Sequence, residues 1–192
     1  MGKSNRAQTG RFFLSAFWMD LSGGIYLVAL PFVAMSLGAG SLELGVLGAV
    51  RGVAYMFGAL LAALLADACG RRVMVTASCL GVVIVLLVTA AAGSLWQLYV
   101  VVAAWAVALG LFWPPVFAWL GDTHRPSELG RATGAASMGW STGAMAAGLL
   151  AGWLYQLDPL LPILTAVLPV LLVVASVRKL TVEQVGSPEA LS

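Results

Sequence analysis

The sequence predicts an all-α integral membrane protein built as a six-transmembrane-helix bundle, and three observations predict it. Hydrophobic residues make up 61% of the 192 and charged residues only 9%, against roughly 25% charged in a soluble domain, and mean hydropathy is +0.98. Ten Lys/Arg and eight Asp/Glu cannot clothe a chain of this size in a polar shell, so lipid must be the solvent for most of its surface. The apolar residues fall into six continuous runs of about 20 residues, the length of helix that crosses roughly 30 Å of hydrocarbon. Finally, the basic residues gather in alternate connections between those runs. Barrel strands are excluded because they alternate in polarity over about ten residues, whereas these runs are continuously apolar.

The first run, near 12–37, is too long for a signal-peptide core of about 7–15 residues, and no small-residue cleavage site follows a short one. Before it lies a polar cytoplasmic segment, residues 1–11, whose MGKSNR start has Arg6 where a myristoylation signal needs Ser or Thr. Runs near 43–66 and 73–92 are separated by a turn containing Gly70, Arg71 and Arg72. The fourth, near 95–120, carries Pro114 and Pro115, which remove two backbone donors and distort the helix. The fifth, near 130–155, holds Gly134, Gly139, Gly143, Gly148 and Gly152, spaced for close helix approach. After the sixth, near 158–177, the polar stretch 178–192 with its Ser-Pro reads as a flexible tail or the start of an inter-domain linker. The domain layout is thus a transmembrane unit over 12–177 between two cytoplasmic segments.

Orientation follows from the cations, because Lys and Arg are retained in cytoplasmic loops. Lys3, Arg6 and Arg11 precede helix 1; Arg71 and Arg72 lie between helices 2 and 3; Arg125 and Arg131 flank the 4/5 connection; Arg178 and Lys179 follow helix 6. Only Arg51 falls elsewhere, inside helix 2, and the alternate connections hold Glu43 and Asp158 instead. A multi-pass protein of a cell (inner) membrane with both termini in the cytoplasm is expected.

The stretch ALLADACGRRVMV between helices 2 and 3 resembles the signature loop of the major facilitator superfamily. Asp67, Gly70, Arg71 and Arg72 match that pattern, while Ala63 and Ala68 stand where a glycine and a basic residue are usual. Pro31, Gly45 and Gly48 around the helix 1 to helix 2 passage, and Asp122, Pro126, Gly130 and Arg131 after helix 4, are similar to the family at those places too. The resemblance implies the N-terminal six-helix half of a transporter, made of two three-helix repeats. It further implies that Asp67 and Arg71 form a cytoplasmic latch, with Arg71 meeting Asp122, and that helices 1 and 4 line a central cavity. Helix 5 is similar to the family's glycine-rich antiporter segment, but Leu149 replaces its proline, so close packing is the better reading of those glycines.

Two charges fall within spanning helices. Asp20 lies roughly 12 Å along helix 1 from its cytoplasmic start, and Arg51 roughly 24 Å from the cytoplasmic end of helix 2, at 1.5 Å per residue. Facing lipid at mid-membrane, each would cost at least about 2.5–3.5 kcal/mol, so both are expected to face protein or a water-filled cavity. Asp20 is the candidate for binding a proton or a cationic substrate group, and the Ser22-Gly23-Gly24 that follows offers an adaptable backbone. Arg51 reads equally as an anchor for an anionic group or as a residue snorkelling outward, and their difference in depth argues against a direct salt bridge. Trp105, Phe112 and Trp119 share one face of helix 4 and Trp113 and Phe117 another. Packing is the commoner role for such rings, yet the resemblance puts Trp113 where an apolar substrate passes. Trp119 is assigned to the interfacial belt.

No enzyme is expected. There is no HExxH, GxSxG or phosphate-binding loop, no basic-aromatic surface for nucleic acid, and no metal or cofactor site. Cys69 and Cys79 lack metal-ligand spacing, and His124, between Asp122 and Arg125, is expected to be solvent-exposed. The expected function is secondary active solute transport by alternating access, coupled to protons through Asp20. The partners are membrane lipid, a small-molecule substrate and a second six-helix half, either a C-terminal domain or a second copy; the competing reading is a stand-alone six-helix scaffold or regulatory subunit.

Overall fold

The computed structural model describes residues 3–178, apart from the side chains of residues 3–6 and Asp67. The tail beyond Arg178 lies outside the described residues. Eight helices make six passes, with no strand among the described residues: α1 (Lys3–Ser36), α2 (Ser41–Cys69), α3 (Arg71–Thr89), α4 (Leu95–Gly110) with α5 (Trp113–Thr123), α6 (Pro126–Leu157), and α7 (Leu161–Thr165) with α8 (Val167–Arg178). Five passes are long and apolar enough to cross a membrane. The remaining one, α6, is 32 residues long and therefore has the length, but glycine and serine dilute its hydropathy.

Backbone chemistry sets the joints. Gly38 closes α1 with φ 88°, and Gly70, at φ 80°, is the single residue between α2 and α3; both angles suit glycine alone without strain. Ser94 caps α4 by accepting from the Gln97 N–H. The proline pair does not kink a continuous helix. It starts a new one: α4 ends in a tight turn at Leu111 and Phe112, and Pro114 and Pro115 occupy the first turn of α5, where a missing N–H goes unnoticed. A similar break at Ala166 separates α7 from α8, and there Ser22 of α1 donates to the Ala166 carbonyl at 2.7 Å.

The helices mate across the two triplets: α1 packs along α6, α2 along α4, and α3 along α4 and α8, with α8 also lying against α1. Glycine makes the first two contacts possible. A side chain at Gly139 or Gly143 would run into the α1 backbone at Phe13 or Phe17, and one at Gly58 or Gly110 would meet the opposing helix at Val107 or Tyr55. Gly23 and Gly24 serve the same end. They sit within unbroken helix against Trp105 and Ala147, so the adaptable backbone expected after Asp20 is instead a packing surface.

Two expectations at the basic end are corrected. Trp119 is 2% exposed and packs edge-on against Phe12 at 6.2 Å, inside the bundle rather than in a lipid-facing belt. His124 is 4% exposed; its Nδ1 lies 3.0 Å from the Leu120 carbonyl and its Nε2 3.0 Å from the Thr9 hydroxyl. With Nδ1–H donating to that carbonyl, Nε2 accepts from Thr9. For His124 the cause is that α1 begins at Lys3 rather than near residue 12, which brings Thr9 onto the ring.

Candidate functional site

α1 supplies Asp20 and Leu27, α2 supplies Arg51 and Tyr55, and α4, α5 and α6 supply Trp105, Trp113, Phe117 and Trp140 to one cavity of about 560 Å³. Asp20, Arg51 and Trp113, singled out on separate grounds in the sequence, therefore share one wall. Asp20 is half-buried and Arg51 exposed. Trp140 and Tyr55 line the cavity together with Asp20, whose Oδ2 is buried without a hydrogen-bond partner. Among the described residues Arg51 makes no ion pair or hydrogen bond, with Asp20 or otherwise. It stands where the cavity meets a second hollow of about 300 Å³ between α1 and α2, lined by Leu30, Pro31, Leu44 and Leu47 among others.

Aromatic rings form the rest of the wall. Trp113 stacks on Phe117 at 5.7 Å and lies 6.1 Å from Trp140, distances at which ring quadrupoles attract. Phe112 buttresses Trp113 edge-on at 5.1 Å, and Trp105, 1% exposed, is held against Tyr26 at 5.0 Å. The break between α4 and α5 sorts these residues, turning Phe112 into the core and leaving Trp113 and Phe117 on the cavity. Tyr55 and Trp140 escaped the sequence reading. Tyr55 follows Arg51 by one helical turn, a same-face spacing that the sequence does display, whereas Trp140 joins the cavity of Asp20 only because α6 lies on α1.

At the basic end, Arg71 meets Asp122 at 2.6 Å, their side chains 28% and 52% exposed. Gly70 makes this contact reachable by turning the chain within one residue. Arg72 points elsewhere and donates at 2.7 Å to the carbonyl of Arg178, the last described residue of α8, so it caps the C-terminal end of the sixth pass. The Asp67 side chain lies outside those described.

A bundle of long apolar helices whose passes mate across two triplets makes this an integral, multi-pass membrane protein. The chain belongs to the major facilitator superfamily, whose family model matches residues 12–190. Among solved structures it is similar to a bacterial homologue of the human lysosomal transporter Spinster, crystallised in an inward-facing and unoccupied conformation, with TM-score 0.71 at 16% identity. That match covers 92% of this chain but 43% of the other, so the chain spans less than half the length of that transporter. No curated protein matches it.

Proposed function

We propose that this chain forms the N-terminal half of a secondary active transporter that works by alternating access, with protons as the coupling ion and no enzymatic activity. The observation that carries the proposal is the cavity wall holding Asp20, Arg51 and Trp113 together: a hollow with one acid, one base and stacked aromatics binds a small molecule, and a second six-helix half closes it from the other side. In this reading Asp20 takes up and releases the proton, Arg51 anchors a polar substrate group, and Trp113 packs on the substrate's apolar body. The half is proposed to be a six-helix unit over 12–177 between cytoplasmic segments 1–11 and 178–192. Uptake or efflux by the intact protein in proteoliposomes, driven by a pH gradient across a compound panel, tests the proposal; lack of any gradient-driven flux would remove it.

The cations at one end of the bundle support a cytoplasmic placement of both termini. With native Cys69 and Cys79 replaced by serine, cysteines at Ala39, Ser94 and Gln156 should react with an impermeant thiol reagent from outside, and one at Ser127 only after permeabilisation. External labelling at Ser127 would reverse the orientation.

We also propose that Asp67, Gly70, Arg71, Arg72 and Asp122 act as a cytoplasmic gate. An exposed ion pair such as Arg71–Asp122 contributes only about 0.2–1 kcal/mol to folding, so its larger effect is on the balance between open and closed states. Arg71→Glu should therefore cut the transport rate severalfold at normal membrane abundance, and adding Asp122→Arg should recover part of it. Wild-type rates in Arg71→Glu and Asp122→Arg singly would remove the gate.

A further inference from the structure

The cavity wall carries two charges of opposite sign that do not pair with each other, and much of the rest of its lining is aromatic. Asp20 comes from α1 and Arg51 from α2, and no ion pair links them. Trp140 and Tyr55 line the cavity with Asp20, whose Oδ2 is buried and without a hydrogen-bond partner, while Arg51 stands at the junction with the neighbouring apolar hollow. Trp113 stacks on Phe117 and lies tilted against Trp140. We propose that the substrate class of this site is a zwitterion with its charges separated by an apolar or aromatic body, the cationic end on Asp20 and the anionic end on Arg51.

The physical grounds are those of complementarity. Leaving either charge uncompensated in a cavity closed by the second half is costly, and a guanidinium recognises a carboxylate or phosphate by paired N–H donors, whereas a carboxylate flanked by indole and phenol rings favours an ammonium, attracted by both charge and ring faces. A simple organic cation would satisfy Asp20 but leave Arg51 facing it with like charge. A simple anion would do the reverse. Because Asp20 and Arg51 line the same cavity from different helices without meeting as an ion pair, a substrate with its charges set apart on an apolar body reaches both. A proton on Asp20 competes with the substrate's cationic group, which ties recognition to coupling. The inference rests on the transporter reading for the closing second half, but its test reads binding alone.

Three probes with one apolar body separate the classes: 4-[4-(aminomethyl)phenyl]butyrate as the zwitterion, 4-butylbenzylamine as the cation and 4-phenylbutyrate as the anion. Binding to the intact protein in nanodiscs at neutral pH is measured by calorimetry. The zwitterion should bind at least about tenfold more tightly than either single-charge probe, the equivalent of one retained charge contact. Arg51→Gln should erase its advantage over the cation, and Asp20→Asn its advantage over the anion. Asp20→Glu and Arg51→Lys, which keep both charges, should preserve the zwitterion's lead, so loss of fold is distinguished from loss of recognition. Equal or tighter binding of the cation or of the anion, or no binding by any of the three, overturns the zwitterion class. If in that event the protein still drives another solute with a pH gradient, transport stands and only the substrate class falls.

Discussion

Asp20→Asn in the intact protein is expected to abolish pH-driven accumulation of substrate, a loss of at least about a hundredfold, while the protein still reaches the membrane folded. Asparagine has nearly the same size, and α1 is held on α6 through glycines elsewhere along the pair, so that packing is retained. What it lacks is a protonation change. In the proposed cycle the two protonation states of Asp20 favour different conformations, and a ligand or proton shifts an equilibrium only by its differential affinity for the two. Without that difference the gradient has no handle, although exchange of substrate down its own gradient should persist. Uptake and counterflow measured side by side in proteoliposomes check this: accumulation equal to wild type would make Asp20 a structural polar residue.

Gly143→Leu should have the largest effect on folding. A Cβ at this position would overlap the α1 backbone around Phe17, and overpacking a filled interior costs typically about 1–3 kcal/mol even for modest insertions. A whole isobutyl group driven between two helix backbones has nowhere to go except by separating α1 from α6. That separation would also pull Trp140 from Asp20, coupling the packing defect to the site. A Cβ at Gly134, on the same helix, would meet no atom of another element within 4 Å, and Gly134→Leu should be nearly neutral. The thermal midpoints of the purified variants decide it; similar midpoints for the two would mean that α1 and α6 do not meet through glycine.

Five of the passes were legible because lipid imposes a length and a polarity that a continuous apolar run meets, and α6 through its length despite its glycines and serines. Pass boundaries at the basic end were less so. Residues 1–11 are polar and read as a cytoplasmic segment before the first helix, yet α1 extends back to Lys3, placing Thr9 against His124. The signal was present in the helical spacing of Gln8, Thr9 and Phe12, three of the residues that turn inward there, but polar composition masked it. The Arg71–Asp122 contact was legible through the loop motif alone, since the two residues are far apart in sequence and no local rule joins them. The cavity was half legible. An acid and a base inside spanning helices stand out because lipid penalises them, whereas Trp140 and Tyr55 look like ordinary membrane aromatics until helix pairing brings them to Asp20. The glycines after Asp20 illustrate the opposite error: freedom in the chain was expected where the fold uses the missing side chain for contact.

The central claim, that this cavity wall faces one side of the membrane and then the other, is tested most directly by the accessibility of Phe117, a half-exposed ring on the cavity. With Cys69 and Cys79 replaced by serine, Phe117→Cys in the intact protein is challenged with an impermeant thiol reagent from the outside and, separately, from the cytoplasmic side, under opposite pH gradients. Alternating access predicts that reversing the gradient shifts labelling from one side to the other, with Asp20→Asn removing the shift. Equal labelling from both sides whatever the gradient, as in an open pore, or protection from both, as in a buried scaffold contact, would contradict it.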